Sequence, residues 1–309
     1  MNWRTKAAIQ RAISRLPFGR ETVYYALQRG FGNLRNPEPI IDSLRYAADI
    51  FREIEKAGTP IQRARVFEFG TGHRINMPLA FYLAGAASVT TVDLYPVLKP
   101  SLVMEDVKQL KEHRDLVSDT LHVDTEKVIS RIERIAAAKT FQDLCNIIQL
   151  TYLAPCDAAN TALDPGSFDI HFSYTVCEHI PPSDLVNILA EAGRLVSDNG
   201  VCAHLIDLSD HFSHGNCNSL SPINFLQFSE AEWSRIGPSR FGYQNRLREP
   251  NYKAVYRSAG HQIVTWDRGI HPQALADLRG GLRLAPEFQN LEEDVLATTT
   301  VLAISRRGR

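Results

Sequence analysis

The sequence predicts an α/β fold: a mostly parallel, doubly wound sheet with an N-terminal helical segment and helical or loop insertions. Three observations carry this. Arg65-Val66-Phe67-Glu68-Phe69-Gly70-Thr71-Gly72 followed by Ser88-Val89-Thr90-Thr91-Val92-Asp93 reads as strand, tight turn, helix and second strand. From Arg65 onward strand and helix patterns alternate, which is how a parallel sheet covered on both faces is written. Before it, apolar residues recur at helical spacing. The segments are 1–64, helical, and 65–309, the α/β domain.

In the first segment Ile9, Ile13 and Leu16 share one helix face, with Arg4, Lys6, Arg11 and Arg15 elsewhere. Such a basic amphipathic helix suits packing on the core or on a second copy of the chain, or peripheral contact with an acidic membrane surface. Pro17 ends it, Asn36-Pro37-Glu38-Pro39 marks a break, Ile40 to Lys56 forms a further helix, and Gly58-Thr59-Pro60 closes the preface. Strands are predicted near Val66, Val89, Ile148, Ile170, Val201, Ile263 and Val301. The last two read almost as a hairpin, with no crossover helix pattern between them.

Two connections are longer than the core requires, and such connections usually carry function. Leu98 to about Asn146 has Val103, Val107, Leu110, Val117, Val128, Ile132 and Ile135 at mostly helical spacing, suited to a lid or to a plain structural cap. Ser209 to about Glu249 carries Phe212, Phe225, Phe228, Trp233, Phe241 and Tyr243, which suit the lining of an apolar acceptor pocket beyond the strand ends.

The glycine turn points to a ligand. Gly70 and Gly72 lack Cβ, so the turn can take positive φ and a ligand can lie on its amides. Asp93, about twenty residues on, suits the hydroxyls of a ribose. Dinucleotide enzymes carry a third glycine where Ile75 stands, which disfavours a pyrophosphate. Glu68 beside the loop would repel phosphate and attract an ammonium group. A ligand joining ribose to amino acid is S-adenosylmethionine. The alternative is a bare strand-to-helix turn.

On these residues the chain resembles the class I S-adenosylmethionine-dependent methyltransferases, from about Arg65 to the C-terminus. The resemblance implies a Rossmann-like sheet of seven strands with the final one antiparallel. It assigns Glu68, Gly70, Thr71 and Gly72 to the methionine part, Asp93 with Leu94 to the ribose, and Asp157-Ala158, after Ile147 to Tyr152, to the adenine. Phe168-Asp169-Ile170-His171-Phe172-Ser173-Tyr174-Thr175-Val176-Cys177-Glu178-His179-Ile180 looks like the family's fourth-strand segment, whose end, with Tyr174, faces the transferred methyl. The sequence departs from the family at Arg74, where many members have glycine.

His204, Asp207, Asp210, His211 and His214 are the densest titratable cluster. Methyl transfer to a hydroxyl needs an aligned acceptor and a base, and histidine suits that near neutral pH. His211 is the first candidate, oriented by Asp207 or Asp210, and His179 the second. The same atoms suit a metal, but the spacing matches no zinc signature and a strand-to-loop exit predicts scattered ligands, so no metal is expected. A structural hydrogen-bonding role is the other alternative. Arg246 and Arg248, near Tyr252, suit a clamp for an acidic substrate or solvated surface charge.

Composition narrows the partners. The 309 residues carry a net charge of −1, from Lys+Arg 34 against Asp+Glu 35, so no global field draws in nucleic acid. The five cysteines, Cys145, Cys156, Cys177, Cys202 and Cys217, form no metal-type pair, which suits a reducing, cytoplasmic setting. No apolar run approaches a bilayer span of roughly twenty residues. The expectation is an enzyme methylating a small-molecule hydroxyl, of a glycan precursor or secondary metabolite, as a monomer or homodimer. Nitrogen or carbon methylation, a non-catalytic S-adenosylmethionine-binding protein, aminopropyl transfer and a nicotinamide-dependent dehydrogenase are the rivals.

Overall fold

The computed structural model describes residues 2–31, 40–214, 220–237, 239 and 242–308. Cys217, Phe241 and the Asn36 to Pro39 break lie outside the described residues. The strands are β1 (Arg65–Phe69), β2 (Ser88–Val92), β3 (Leu150–Leu153), β4 (Phe168–Tyr174), β5 (Val196–Asp207), β6 (His261–Ile270) and β7 (Thr298–Arg307). They form one seven-stranded sheet in the order β3-β2-β1-β4-β5-β7-β6. The pairings from β3 through β5 are parallel, and β7 runs antiparallel to both β5 and β6. The predicted mostly parallel sheet with an antiparallel last strand is therefore present.

The helices are α1 (Trp3–Ser14), α2 (Arg20–Phe31), α3 (Ile40–Lys56), α4 (Asn76–Ala84), α5 (Pro100–Glu112), α6 (Arg114–Leu121), α7 (Thr125–Ala136), α8 (Phe141–Ile148), α9 (Pro182–Leu195), α10 (Glu230–Ile236), α11 (Glu249–Ser258), α12 (Pro272–Arg279) and α13 (Glu293–Ala297). Strand side chains alternate between two layers. Val66, Ile170, Phe172, Ala203 and Leu205 meet α3 to α8, whereas Phe67, Phe69, Ile206, Val301 and Ala303 meet α9 and α11. The apolar residues of the first insertion, Val103 to Ile135, lie in the first of these layers with α3 and α4, so they extend the core as a cap.

Three expectations change. Ile148 is the last residue of α8, not part of a strand: a capping box of Thr140 and Asp143 starts the helix, Gln149 takes a left-handed φ of 53°, and β3 begins at Leu150. A short apolar run is ambiguous between helix end and strand, and here the cap decides. The β6–β7 connection holds α12 and α13, whose Ala274 and Leu296 bury with Phe225 and Trp233 of the second insertion. On α1 the packed side carries Trp3, Ala7, Gln10 and Ile13, while Ile9 and Leu16 are exposed. Trp3 meets Phe212, Phe228 and Trp233 at ring distances of 5.5, 5.8 and 6.0 Å.

Those contacts also correct the pocket reading. Phe212, Phe225, Phe228 and Trp233 close on one another and on α1 as a third apolar core, instead of lining an open cavity. No helix among the described residues is long and apolar enough to cross a membrane.

Candidate active site

In the sheet order, β1 has β2 on one side and β4 on the other, with connections leaving in opposite directions; such a switch point opens a crevice at the C-terminal strand ends. The Gly70 to Gly72 turn stands there. Gly70 (φ 81°) and Gly72 (φ 66°) take the left-handed conformation. Their surroundings differ. A Cβ on Gly70 would sit 2.5 Å from a Val176 methyl, while one on Gly72 would meet nothing within 4 Å. Gly70 is thus required by packing, and Gly72 presents open backbone to the crevice. Gly70→Ala is expected to cost about 2–3 kcal/mol of stability from clash and left-handed strain together, read from denaturant midpoints, and Gly72→Ala only about 1 kcal/mol.

The turn's amides are not free. Gly70 and Thr71 donate to the Val92 carbonyl at 2.8 and 3.3 Å, and Gly72 donates to an Asp93 carboxylate oxygen at 2.9 Å. Asp93 also accepts from Tyr95 at 3.0 Å, which leaves its half-buried carboxylate at the crevice edge with lone pairs to spare. Leu94 and Tyr95 beside it are exposed apolar side chains. Asp157 is exposed on the turn after β3, accepting from Ala159, and the Cys156 amide donates to the Asp93 carbonyl, tying the two strand ends together. Tyr174 lies at the end of β4, edge-on to Tyr46 at 6.0 Å.

Glu68 differs from expectation. It is buried behind the turn and accepts from the Thr91 hydroxyl at 2.6 Å, which in turn meets Thr71 at 2.7 Å. Burial, with Asp93 adding to it, pushes its carboxyl up to about 8, so at neutral pH it is an uncharged brace instead of an open anion. Arg74, the departure from the family pattern, holds Asp106 of α5 at 2.5 Å and the Leu102 carbonyl at 2.9 Å, fastening the turn to the first insertion.

Beyond the ends of β4 and β5 the predicted catalytic residues do meet. A 3-10 turn (Cys177–His179) follows β4, and the chain leaving β5 returns over it. His211 Nε2 lies 3.2 Å from Asp207, His214 lies 3.7 Å from the same carboxylate, and the His179 and His211 rings are 4.9 Å apart. Burial alone would raise Asp207, but hydrogen bonds from His211 and Ser209 hold it below its ordinary value. Desolvation by the surrounding chain, then the neighbouring His211, lowers His179, although one side of the residue faces solvent. His204 and Asp210 belong elsewhere. His204 is fully buried in a chain of hydrogen bonds from His171 (3.1 Å) to Tyr256 (2.6 Å), its imidazole pushed down to about 3 by burial. Asp210 accepts from Asn224 and the Phe212 amide inside the insertion.

What draws His179 and His211 together is a segment in which the sequence marked Tyr243 alone, as a pocket aromatic. The Tyr243 carbonyl accepts from His179 Nδ1 at 2.7 Å, Gln244 accepts from the His211 amide and donates to Ser209, and Asn245 caps the carbonyls of Cys177 and Ile180. These are mostly contacts to backbone, which leave no signature in residue type. Glu178, also unassigned, is buried between them. Arg246 and Arg248 are neither clamp nor surface charge. Arg246 binds the carbonyls of Phe225 and Phe228 and pairs with Glu230, and Arg248 is wholly buried against carbonyls. Groups with ligand atoms near enough to hold a cation are Glu178, His179, His211 and Asp207, His211, His214, so the predicted scatter of these side chains does not occur.

Residues 107–204, running from α5 through β4 to within β5, match the family model described as a methyltransferase domain. That stretch of the chain carries a methyltransferase domain. No curated protein matches the chain. Among solved structures, the chain is similar to a proposed sarcosine dimethylglycine methyltransferase from Galdieria sulphuraria (16% identity, 93% of this chain and 98% of that one, TM-score 0.48). It is also similar to the 1,6-didemethyltoxoflavin-N1-methyltransferase of Burkholderia thailandensis bound to 1,6-didemethyltoxoflavin and S-adenosylhomocysteine (13%, 94% and 87%, 0.45). A third is an S-adenosylmethionine-dependent methyltransferase from Clostridium acetobutylicum (9%, 93% and 98%, 0.46). Likeness at this level extends to neither substrate nor mechanism.

Proposed function

We propose that this methyltransferase transfers the methyl group to a hydroxyl of a small molecule, of the glycan-precursor or secondary-metabolite kind, in the cytoplasm, with His211 as general base. The observation that carries this is the Asp207–His211–His179 constellation beyond the C-terminal ends of β4 and β5, at the same edge of the parallel sheet as Gly72 and Asp93. The open backbone of Gly72 fits the methionine part, Asp93 and Leu94 the ribose, and Asp157-Ala158 the adenine, with Glu68, Gly70 and Thr71 shaping the turn and Tyr174 beside the reacting end. Bound S-adenosylmethionine supplies an electrophilic methyl on a sulfonium. The protein's own work is to hold the acceptor oxygen in line, remove its proton at His211 as the new C–O bond forms and the C–S bond breaks, and stabilise the resulting imidazolium with Asp207.

S-adenosylhomocysteine at a hundredfold excess over Kd should stabilise the protein by about 2.7 kcal/mol in a thermal melt, and NAD should not. Failure of both sulfur cofactors to do so would sink the reading. Asp93→Ala should weaken that binding about ten- to hundredfold, the equivalent of about 1.5–3 kcal/mol for a lost bond to a charged group. Titration calorimetry would read this directly, and an unchanged Kd would remove Asp93 from the ribose site. Incubation with acceptor candidates, followed by mass spectrometry for the gain of one methyl, separates oxygen from nitrogen and carbon acceptors.

A further inference from the structure

We propose that Glu178, His179 and His211 form a binding site for a divalent transition-metal ion of the zinc type. Their ligand atoms all lie within 4.8 Å of one another. Glu178 is only 2% exposed, yet neither carboxylate oxygen makes a hydrogen bond of normal geometry. An unpartnered buried carboxyl is a costly feature that a fold retains for a reason. A dication bound by Glu178 would give its carboxylate the partner that the surrounding side chains do not.

The histidines are set for the same task. His179 Nδ1 faces the Tyr243 carbonyl at 2.7 Å, and a carbonyl can only accept, so Nδ1 carries the hydrogen and Nε2 keeps its lone pair. His211 is steadied by Asp207. Metal-ligating histidines are oriented by carbonyls and carboxylates in this manner. Two imidazoles and one carboxylate make a donor set that suits zinc and leaves a fourth position open. Bonds of about 2.0–2.2 Å to a tetrahedral ion place ligand atoms about 3.3–3.6 Å apart, so the three side chains close by about an ångström on loading. The alternative group of Asp207, His211 and His214 is less suited, because Asp207 already accepts from Ser209 and His211, and His214 meets the Ser209 hydroxyl at 2.8 Å.

The site shares His211 with the proposed acceptor pocket, and the inference rests on the methyltransferase reading only for its consequence: the open position would take the acceptor oxygen and acidify its hydroxyl, the ion then replacing His211 as the group that activates it, because the lone pair bound to the metal is the one the base would use. Binding itself is tested without cofactor. Chelator-treated protein is titrated with Zn²⁺ alone by calorimetry, and a Co²⁺-loaded sample gives a visible absorption spectrum. We expect one ion per chain, binding weakened at least about tenfold by Glu178→Gln and by His179→Ala, and Co²⁺ bands of four- or five-coordinate character that His179→Ala alters. Thermal melts check that each variant folds, and His211→Ala, at a half-buried position, replaces Glu178→Gln should that variant not fold. No Zn²⁺ binding to the wild type, or binding that these substitutions leave unchanged, overturns the proposal. Binding of S-adenosylhomocysteine is measured separately, so loss of the metal site and loss of the cofactor site give different results.

Discussion

His211→Ala should lower kcat about 10²- to 10⁴-fold while leaving the Kd for S-adenosylhomocysteine within about twofold. The imidazole sits on Asp207 at 3.2 Å and against the His179 ring, beyond the end of β5, whereas Gly72 and Asp93 belong to the β1–β2 unit, so its removal is expected to touch the proposed acceptor chemistry and not the proposed nucleoside grip. Because Asp207 would lose the hydrogen bond that helps hold it ionised, Asp207→Asn should give a smaller loss of the same kind. Single-turnover rates with saturating cofactor read the effect on chemistry. A His211→Ala enzyme as fast as the wild type would eliminate this residue as base. Full activity of the wild type after chelation would keep it as base and remove the ion from the reaction.

Arg248→Met should destabilise the fold by about 3–5 kcal/mol, the usual cost of leaving several buried acceptors unsatisfied. Arg248 is 0% exposed, and its guanidinium donates to the carbonyls of Leu208 (2.7 Å), Val295 (3.2 Å), Leu296 (3.0 Å) and Thr298. Burial pulls it down to about 10, so it remains charged at neutral pH. The cation therefore fastens the end of β5, which delivers Asp207, to the start of β7. A methionine of similar length fills the volume and offers no donor, leaving those carbonyls dry and unpaired. Urea midpoints of the two proteins measure the difference, and equal midpoints would show that the carbonyls find other donors.

The glycine turn and the acid after β2 were legible because backbone geometry there demands particular residue types. Gly70 and Gly72 need positive φ, and an acid must end β2; both constraints act within one βαβ unit and survive as a local pattern. α3 was equally plain, its predicted bounds Ile40 to Lys56 being those observed. The cluster beyond β4 and β5 was legible only in part. His179, Asp207 and His211 stand out as titratable residues, but their meeting depends on Tyr243, Gln244 and Asn245, which act through main-chain groups at long range. The opposite error arose with His204. Strand alternation turns it to the α11 side of β5, where Tyr256 receives it, and no feature of a histidine-rich run separates that neighbour from those beyond the strand end. The aromatic insertion was misread because its fit to Trp3 joins residues from opposite ends of the chain.

That last contact bears on how the molecule is made. The third core unites Ala7 with Phe225, Trp233, Phe288 and Leu296. A growing chain leaving the ribosome has its amino-terminal helix long before it has the surface that receives it, so this third core can be completed only near the end of synthesis. The β1–α4–β2 unit that carries the glycine turn can assemble much sooner, and late closure of so distant a pairing is expected to be the slow event in renaturation.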